Sequence, residues 1–193
     1  MQIVFATNNV HKIQEIQHIL PSSIQLVTLK EGGINIEIPE PHDSLEANAR
    51  EKSMTIYRLT GKDCFSEDTG LEVETLGGEP GVKSARYAGD QANAAENTRK
   101  LLEKLGNNTQ RQAQFRTVIS LILAGKEYQF EGICKGRIAF TPSGDNGFGY
   151  DPVFIPDGDI RTFGDMTMAE KKQFSHRRKA TDQLVSFLQQ QFK

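Results

Sequence analysis

Glu67-Asp68 sets two carboxylates side by side, just after Cys64-Phe65-Ser66, which reads as a strand. Adjacent carboxylates at a strand end repel one another unless a cation is present. Mg2+ takes a few carboxylate oxygens together with phosphate and water. Glu40, in Pro39-Glu40-Pro41, is a third acid on a stiff loop. Cations stand against these acids. Thr7-Asn8-Asn9-Val10-His11-Lys12 follows an apolar run and opens a helical pattern. A helix N-terminus offers phosphate its free N–H groups and a partial positive charge, and Lys12 adds a full charge. The glycines of a Walker A loop are missing. Lys171, His176, Arg177, Arg178 and Lys179 gather around a second helix start, which Ser175 would cap. Cations there oppose the helix dipole, and a bound polyanion would resolve the misfit. Gly147-Phe148-Gly149-Tyr150-Asp151-Pro152 holds an aromatic ring between two glycines. Such a ring can stack on a nucleobase.

Each of these features has a plainer explanation: a capped helix, solvated acids, a basic face, a tight turn over buried aromatics. Together they supply donors for phosphates, acids for a divalent metal and an aromatic for a base, the parts of a nucleoside triphosphate site. No Ser or Cys lies in a triad setting, so water activated by metal and carboxylate is the economical nucleophile. His11, His18 and His42 share no metal-ligand spacing.

The elements that must position these residues are legible in outline. Ile3 to Ala6 reads as a buried strand, followed by a helix with Ile13, Ile16 and Leu20 on one face, ended by Pro21. Leu26 to Leu29 and Ile34 to Ile38 read as short strands. Asp43-Ser44-Leu45-Glu46 has the form of a capping box. It opens a helix to about Leu59, with Leu45, Ala49, Ile56 and Leu59 at roughly helical spacing and Thr60-Gly61 closing it. Cys64 to Ser66 is a strand, Gly77 to Gly81 a loop, and Ala92 to Leu105 a helix. Ala113 to Ala124 and Tyr128 to Phe140 form a strand pair, with Gly125-Lys126 as the hairpin signal. Val153 to Ile155 is a further strand. Thr167 to Glu170 is a second capping box, and the last helix carries Ala180, Leu184, Phe187 and Leu188 on one face. The order predicts mixed α+β structure around one central sheet.

The 193 residues suffice for one α/β domain with a real core, in one or two lobes. A net charge of −2 argues against a dedicated nucleic-acid binder. Two cysteines make neither a disulfide framework nor a metal cluster, which fits a reduced, cytoplasmic setting. The first five residues are too short an apolar run for a signal peptide, and nothing reaches membrane-spanning length.

The chain resembles the inosine triphosphate pyrophosphatases, the Ham1-like family, nearly end to end. The resemblance is carried by Thr7 to Lys12, Glu67-Asp68-Thr69-Gly70-Leu71, Gly77-Gly78-Glu79-Pro80-Gly81-Val82, Ser84-Ala85-Arg86-Tyr87, Gly147 to Pro152 and Ser175-His176-Arg177, in that order. It implies Mg2+-dependent hydrolysis of ITP, dITP and XTP to monophosphate and pyrophosphate. It implies a single domain over 1–193, a long mixed sheet flanked by helices, two lobes with the active-site cleft between them, and a homodimer. Carried over by residue, Thr7, Asn8, Asn9, Val10, His11, Lys12 and Lys52 would hold phosphate. Asp68 would bind the metal and accept the proton of the attacking water, with Glu40 and Glu67 supporting the metal. Thr69 would contact substrate. Phe148, Gly149, Tyr150 and Asp151 would hold base and sugar, Lys171 the nucleotide, and His176 and Arg177 the base edge. Donors at Arg177 would suit a C6 carbonyl and leave adenine's amino group facing a donor, at about 1–3 kcal/mol. The family often has Glu-Asn-Ala where this chain reads Ala47-Asn48-Ala49; Glu46 is about 100° around the helix and is expected to serve the cap. The alternatives are a related pyrophosphatase with another base preference and a nucleotide-binding module without hydrolysis.

Overall fold

A computed structural model describes residues 1–191. The order is β1 (Gln2–Phe5), α1 (Val10–Gln17), β2 (Gln25–Thr28), α2 (Leu45–Thr60), β3 (Cys64–Val73), β4 (Pro80–Gly81), α3 (Ala94–Leu105), β5 (Gln112–Leu123), β6 (Lys126–Ile138), β7 (Phe154–Pro156), α4 (Met168–Lys171) and α5 (His176–Gln191). The strands run β2-β1-β3-β5-β6-β7 across one sheet, and β4 pairs with β3. β1 lies parallel to β2 and β3, while β4 and β7 pair antiparallel with β3 and β6. This is the mixed sheet with flanking helices that the order of elements predicts.

Two compact units divide the chain: Met1–Asp68 with Thr117–Gly132 and the residues from Arg177 onward, and Thr69–Arg116 with Ile133–His176. In the first, the period-two alternation of β3 assigns the helices to faces. Phe65 stacks on Phe5, ring centres 4.5 Å apart. That pair belongs to a cluster with Ile16 of α1 and Ala180, Leu184 and Leu188 of α5. Cys64, one residue away, joins Val4, Ala6, Leu29 and Ile56 of α2. The second unit has its own core of Leu71, Val73, Leu101, Phe115, Phe154 and Phe163.

Several boundaries differ from the sequence expectation, each for a physical reason. Residues 34–38 form no strand; Ile34, Ile36 and Ile38 pack on the cluster around Ile56. Period-two spacing reports one packed face, which an extended segment provides without a partner strand. The cap of α2 is Ser44, whose side chain accepts from the Ala47 N–H, and not Asp43. Three residues on from Ser44 stands Ala47, so no carboxylate closes a box, and Glu46 sits in the first turn. Leu59 is 58% exposed. The buried face of α2 is Leu45, Asn48, Ala49, Lys52, Ser53 and Ile56, half of it polar, so apolar periodicity misjudged its extent. α3 starts at Ala94, because Asn93 supplies the capping oxygen. The hairpin turn is Ala124-Gly125, both at positive φ, as a two-residue turn requires. Asp151–Val153 forms a 3-10 turn, which delays β7 to Phe154. Pro80–Gly81, read as loop, pairs with β3.

Candidate functional site

Glu67 and Asp68 lie inside β3, with the strand continuing to Val73, and not at a strand end. Neighbouring strand residues point to opposite faces, and their partners follow suit. Glu67 meets side chains from α1 and α5. Its Oε1 receives Lys12 Nζ at 3.1 Å. Arg177 Nε donates to both its oxygens, at 2.9 and 2.7 Å. Arg177 in turn donates through Nη1 to Glu15. Burial would raise the Glu67 pKa, but the Arg177 guanidinium and Lys12 outweigh it and hold the carboxyl at about 2. Arg177 is 1% exposed. Burial disfavours its charge, and the two carboxylates more than restore it. The cationic misfit at the start of α5 is therefore answered, for Arg177, by two acids of the protein itself.

Glu15 belongs to none of the motifs in the sequence. Its signal is the spacing Lys12-x-x-Glu15, which puts both residues on one face of α1. The other members of the 7–12 segment build the helix start. Asn9 accepts from Lys12 N at 3.1 Å, Thr7 Oγ1 accepts from Asn9 N, and Asn8 Nδ2 donates to Ile36 O. Val10 and His11 are exposed.

Asp68 faces α2. Lys52 Nζ donates to Asp68 Oδ1 at 2.9 Å and to Glu40 Oε1 at 2.5 Å. One buried ammonium thus gathers two acids distant in sequence. Burial would lower the Lys52 pKa, but Asp68 and Glu40 raise it. For Asp68, burial pushes the pKa upward and the Glu40 carboxylate adds to this, against the pull of Lys52 and Lys12. A buried acid with a raised pKa is a stronger base than a solvated one. Lys12, Glu15, Glu40, Lys52, Glu67, Asp68 and Arg177 all lie in the first unit. Among the described residues, no three of His, Cys, Asp and Glu are gathered as a metal cage. The hard oxygens of Asp68 and Glu40, joined through one lysine, suit a metal that takes its remaining ligands from phosphate and water.

The second unit brings Phe148, Asp151 and Lys171 together. Asp151 is 2% exposed. Its Oδ2 accepts from Phe148 N at 2.8 Å and from Lys171 Nζ at 2.7 Å. Lys171 lies 5.2 Å from the Phe148 ring centre and 5.3 Å from that of Phe163. The capping box at Thr167 and Glu170 fixes the short helix that carries it. Tyr150 is a core residue, donating to Ser84 O at 2.9 Å. His176 stacks on Phe115, ring centres 4.7 Å apart. Thr69 and Gly149 are half-buried.

Gly147 has φ +78°, and a Cβ there would lie 2.0 Å from Asp151 Oδ2. Gly147→Ala is expected to cost about 1–3 kcal/mol in backbone strain and to push Asp151 off Phe148 and Lys171. Chemical denaturation measures the first effect. A variant as stable as the parent would show that this turn tolerates a side chain.

A family-wide profile described as "Ham1 family" matches residues 3–187. A Flavobacterium johnsoniae protein named dITP/XTP pyrophosphatase is 50% identical over 188 residues, 97% of this chain and 98% of that one. A Porphyromonas gingivalis protein of the same name is 49% identical over 188 residues, 97% of each chain. Among solved structures, the Staphylococcus aureus Ham1 protein superposes with a TM-score of 0.90 at 38% identity, covering 99% of this chain and all of its own. A HAM1 protein from Coxiella burnetii does so with a TM-score of 0.90 at 34% identity, over 98% and 99% of the two chains. A match of this length and depth means that the chain belongs to the Ham1 family.

Proposed function

We propose that the chain hydrolyses ITP, dITP and XTP to the monophosphate and pyrophosphate. The observation that carries this reading is Asp68: a buried carboxylate with a raised pKa, tied by Lys52 to Glu40. The names of the 50% and 49% identical relatives support the substrate class. Asp68 accepts the proton of the attacking water from the position that Lys52 fixes for it. Lys52 orients Asp68 and, with Lys12, offers positive charge to phosphate oxygens. Asp68 and Glu40 are the residues that would hold Mg2+, which supplies Lewis-acid polarisation of the phosphate when bound. Glu67 stands behind Lys12 and keeps it aimed. In the second unit, Phe148 offers a ring face to a base, and Asp151 fixes both that ring's backbone and Lys171.

We further infer a cytoplasmic homodimer. Cys64 and Cys134 are buried as thiols, which suits a reducing compartment. Among the described residues no helix is long and apolar enough to cross a membrane. The dimer rests on the family resemblance.

Incubation with ITP and Mg2+ tests the reading. IMP and pyrophosphate are expected in equal amounts. IDP with orthophosphate would move the cleaved bond and overturn it. A panel with dITP, XTP, GTP and ATP measures base preference, and comparable turnover of ATP would remove the assigned substrate class.

A further inference from the structure

Three successive side chains on one face of β3 each take hold of α2. Cys64 Sγ donates to Ser53 O at 3.2 Å, Ser66 Oγ donates to Ala49 O, and Asp68 Oδ1 accepts from Lys52 Nζ at 2.9 Å. The spacings match. Two residues of strand advance about 6.7 Å, and four residues of helix advance about 6.0 Å. Strand positions 64 and 66 therefore meet helix carbonyls 53 and 49, with the two elements running in opposite directions. Helical side chains tilt toward the N-terminus. The Lys52 ammonium is thereby carried past Ala49 to the level of strand position 68.

A second group of bonds closes on the same helix from β5 and β6. Ser53 Oγ lies 2.8 Å from Ser120 Oγ, and Ser120 Oγ donates to Glu127 Oε1 at 3.0 Å. Arg50 Nε meets Glu127 Oε2 at 3.1 Å. Arg50 and Ser53 are three residues apart on one helix face, so these bonds form a ring that leaves α2 and returns to it. Ser53, Ser66 and Ser120 are each 0% exposed. A core hydroxyl is costly unless it is bonded. The carbonyls of Ala49 and Ser53 lie within the helix, where the backbone ladder already uses them. The added bonds are therefore not needed to satisfy the helix. They fix where it stands along β3 and how it is rotated.

We propose that Ser66 is a positioning residue for the reaction, setting the register of α2 on β3 so that the Lys52 ammonium meets Asp68 and Glu40 together. The proposal rests on the reading of Asp68 as the base, and it makes Ser66 act only through Lys52. Ser66→Ala removes one donor and leaves Ala49 O in its helix bond, so the variant is expected to fold. Its kcat/KM for ITP should fall about tenfold, the order expected for a sub-ångström misplacement. A cycle with Lys52→Ala separates positioning from general stability. In the Lys52→Ala background, Ser66→Ala should cost less than about twofold more, because the interaction it serves is already gone. Full multiplication of the two losses would overturn the proposal. A crystal structure of metal-free Ser66→Ala is the second arm. The Lys52–Asp68 separation should exceed about 3.5 Å, beyond hydrogen-bonding range. A pair still at the parent distance would overturn the proposal. If the parent protein cleaves no triphosphate, the proposed function falls, and the crystallographic arm still decides the register.

Discussion

Asp68→Asn is expected to lower turnover of ITP by about 10²–10⁴-fold, the usual worth of a general base, while leaving the protein as stable as before or more so. The two halves of this expectation share one cause. The folded-state pKa of Asp68 is raised above the ordinary 3.8, burial being the largest influence and the Glu40 carboxylate a further one. A raised carboxyl pKa means that the folded state disfavours the ionised form. Stability from this group is then present below 3.8 and is lost as pH rises through the higher folded value. Asparagine stands in for the neutral acid, so it removes that cost at neutral pH. It also leaves no stranded cation, because Glu40 still accepts from Lys52. Its side-chain oxygen can accept from Lys52 as the carboxylate did. The measurement is turnover beside a denaturant midpoint. Lost turnover with an unchanged or higher midpoint identifies Asp68 as chemical machinery held at the expense of stability. Near-parental turnover would remove Asp68 from its role.

What the sequence disclosed follows from the length scale of each signal. Strand and helix identity came from local periodicity, and β1, α1, α3, β5 and α5 all appear within a few residues of expectation. The segment 34–38 misled because alternation of Ile34, Ile36 and Ile38 is a statement about one packed face, whereas a strand also needs a free neighbouring edge. The extent of α2 misled because Asn48, Lys52 and Ser53 lie on its buried side, where an apolar count is blind. Glu67-Asp68 was conspicuous as a dipeptide, but the dipeptide conceals that its members serve opposite faces of one strand. That fact depends on β3 running on to Val73. Glu15 stayed hidden because its partner Arg177 is 162 residues away. No pattern within a window of one helix reports a pairing of that span. Only the family resemblance marks Lys52, since a lysine in a helix reads as solvated until its burial is known.

Arg177→Met should be the most destabilising single change among the residues of this cluster. Methionine keeps much of the side-chain volume and removes the charge. Glu67, buried and with its pKa normally held at about 2 by Arg177 and Lys12, is then left to Lys12 alone. Glu15 loses its bond to Arg177 Nη1. Breaking one side of a buried pair costs about 3–5 kcal/mol, which in a chain of this size lowers Tm by about 10 °C. Much of that cost belongs to the stranded carboxylate and little to lost packing. Arg177→Met with Glu67→Gln should therefore recover most of the stability. A double variant as unstable as the single one would assign the loss to packing and reject the electrostatic account. The pH dependence changes sign between the two proteins. In the parent, the folded Glu67 pKa lies below the ordinary 4.5, so its contribution is present above 4.5 and is lost as pH falls toward 2. In Arg177→Met the main opposing cation is gone and burial dominates, which moves the Glu67 pKa upward. The deficit of the single variant relative to the double should then be small below 4.5 and should grow as the carboxyl ionises. Denaturant midpoints of the three proteins across that range decide the matter. A deficit that ignores pH would mean that Glu67 is not what Arg177 is there to neutralise.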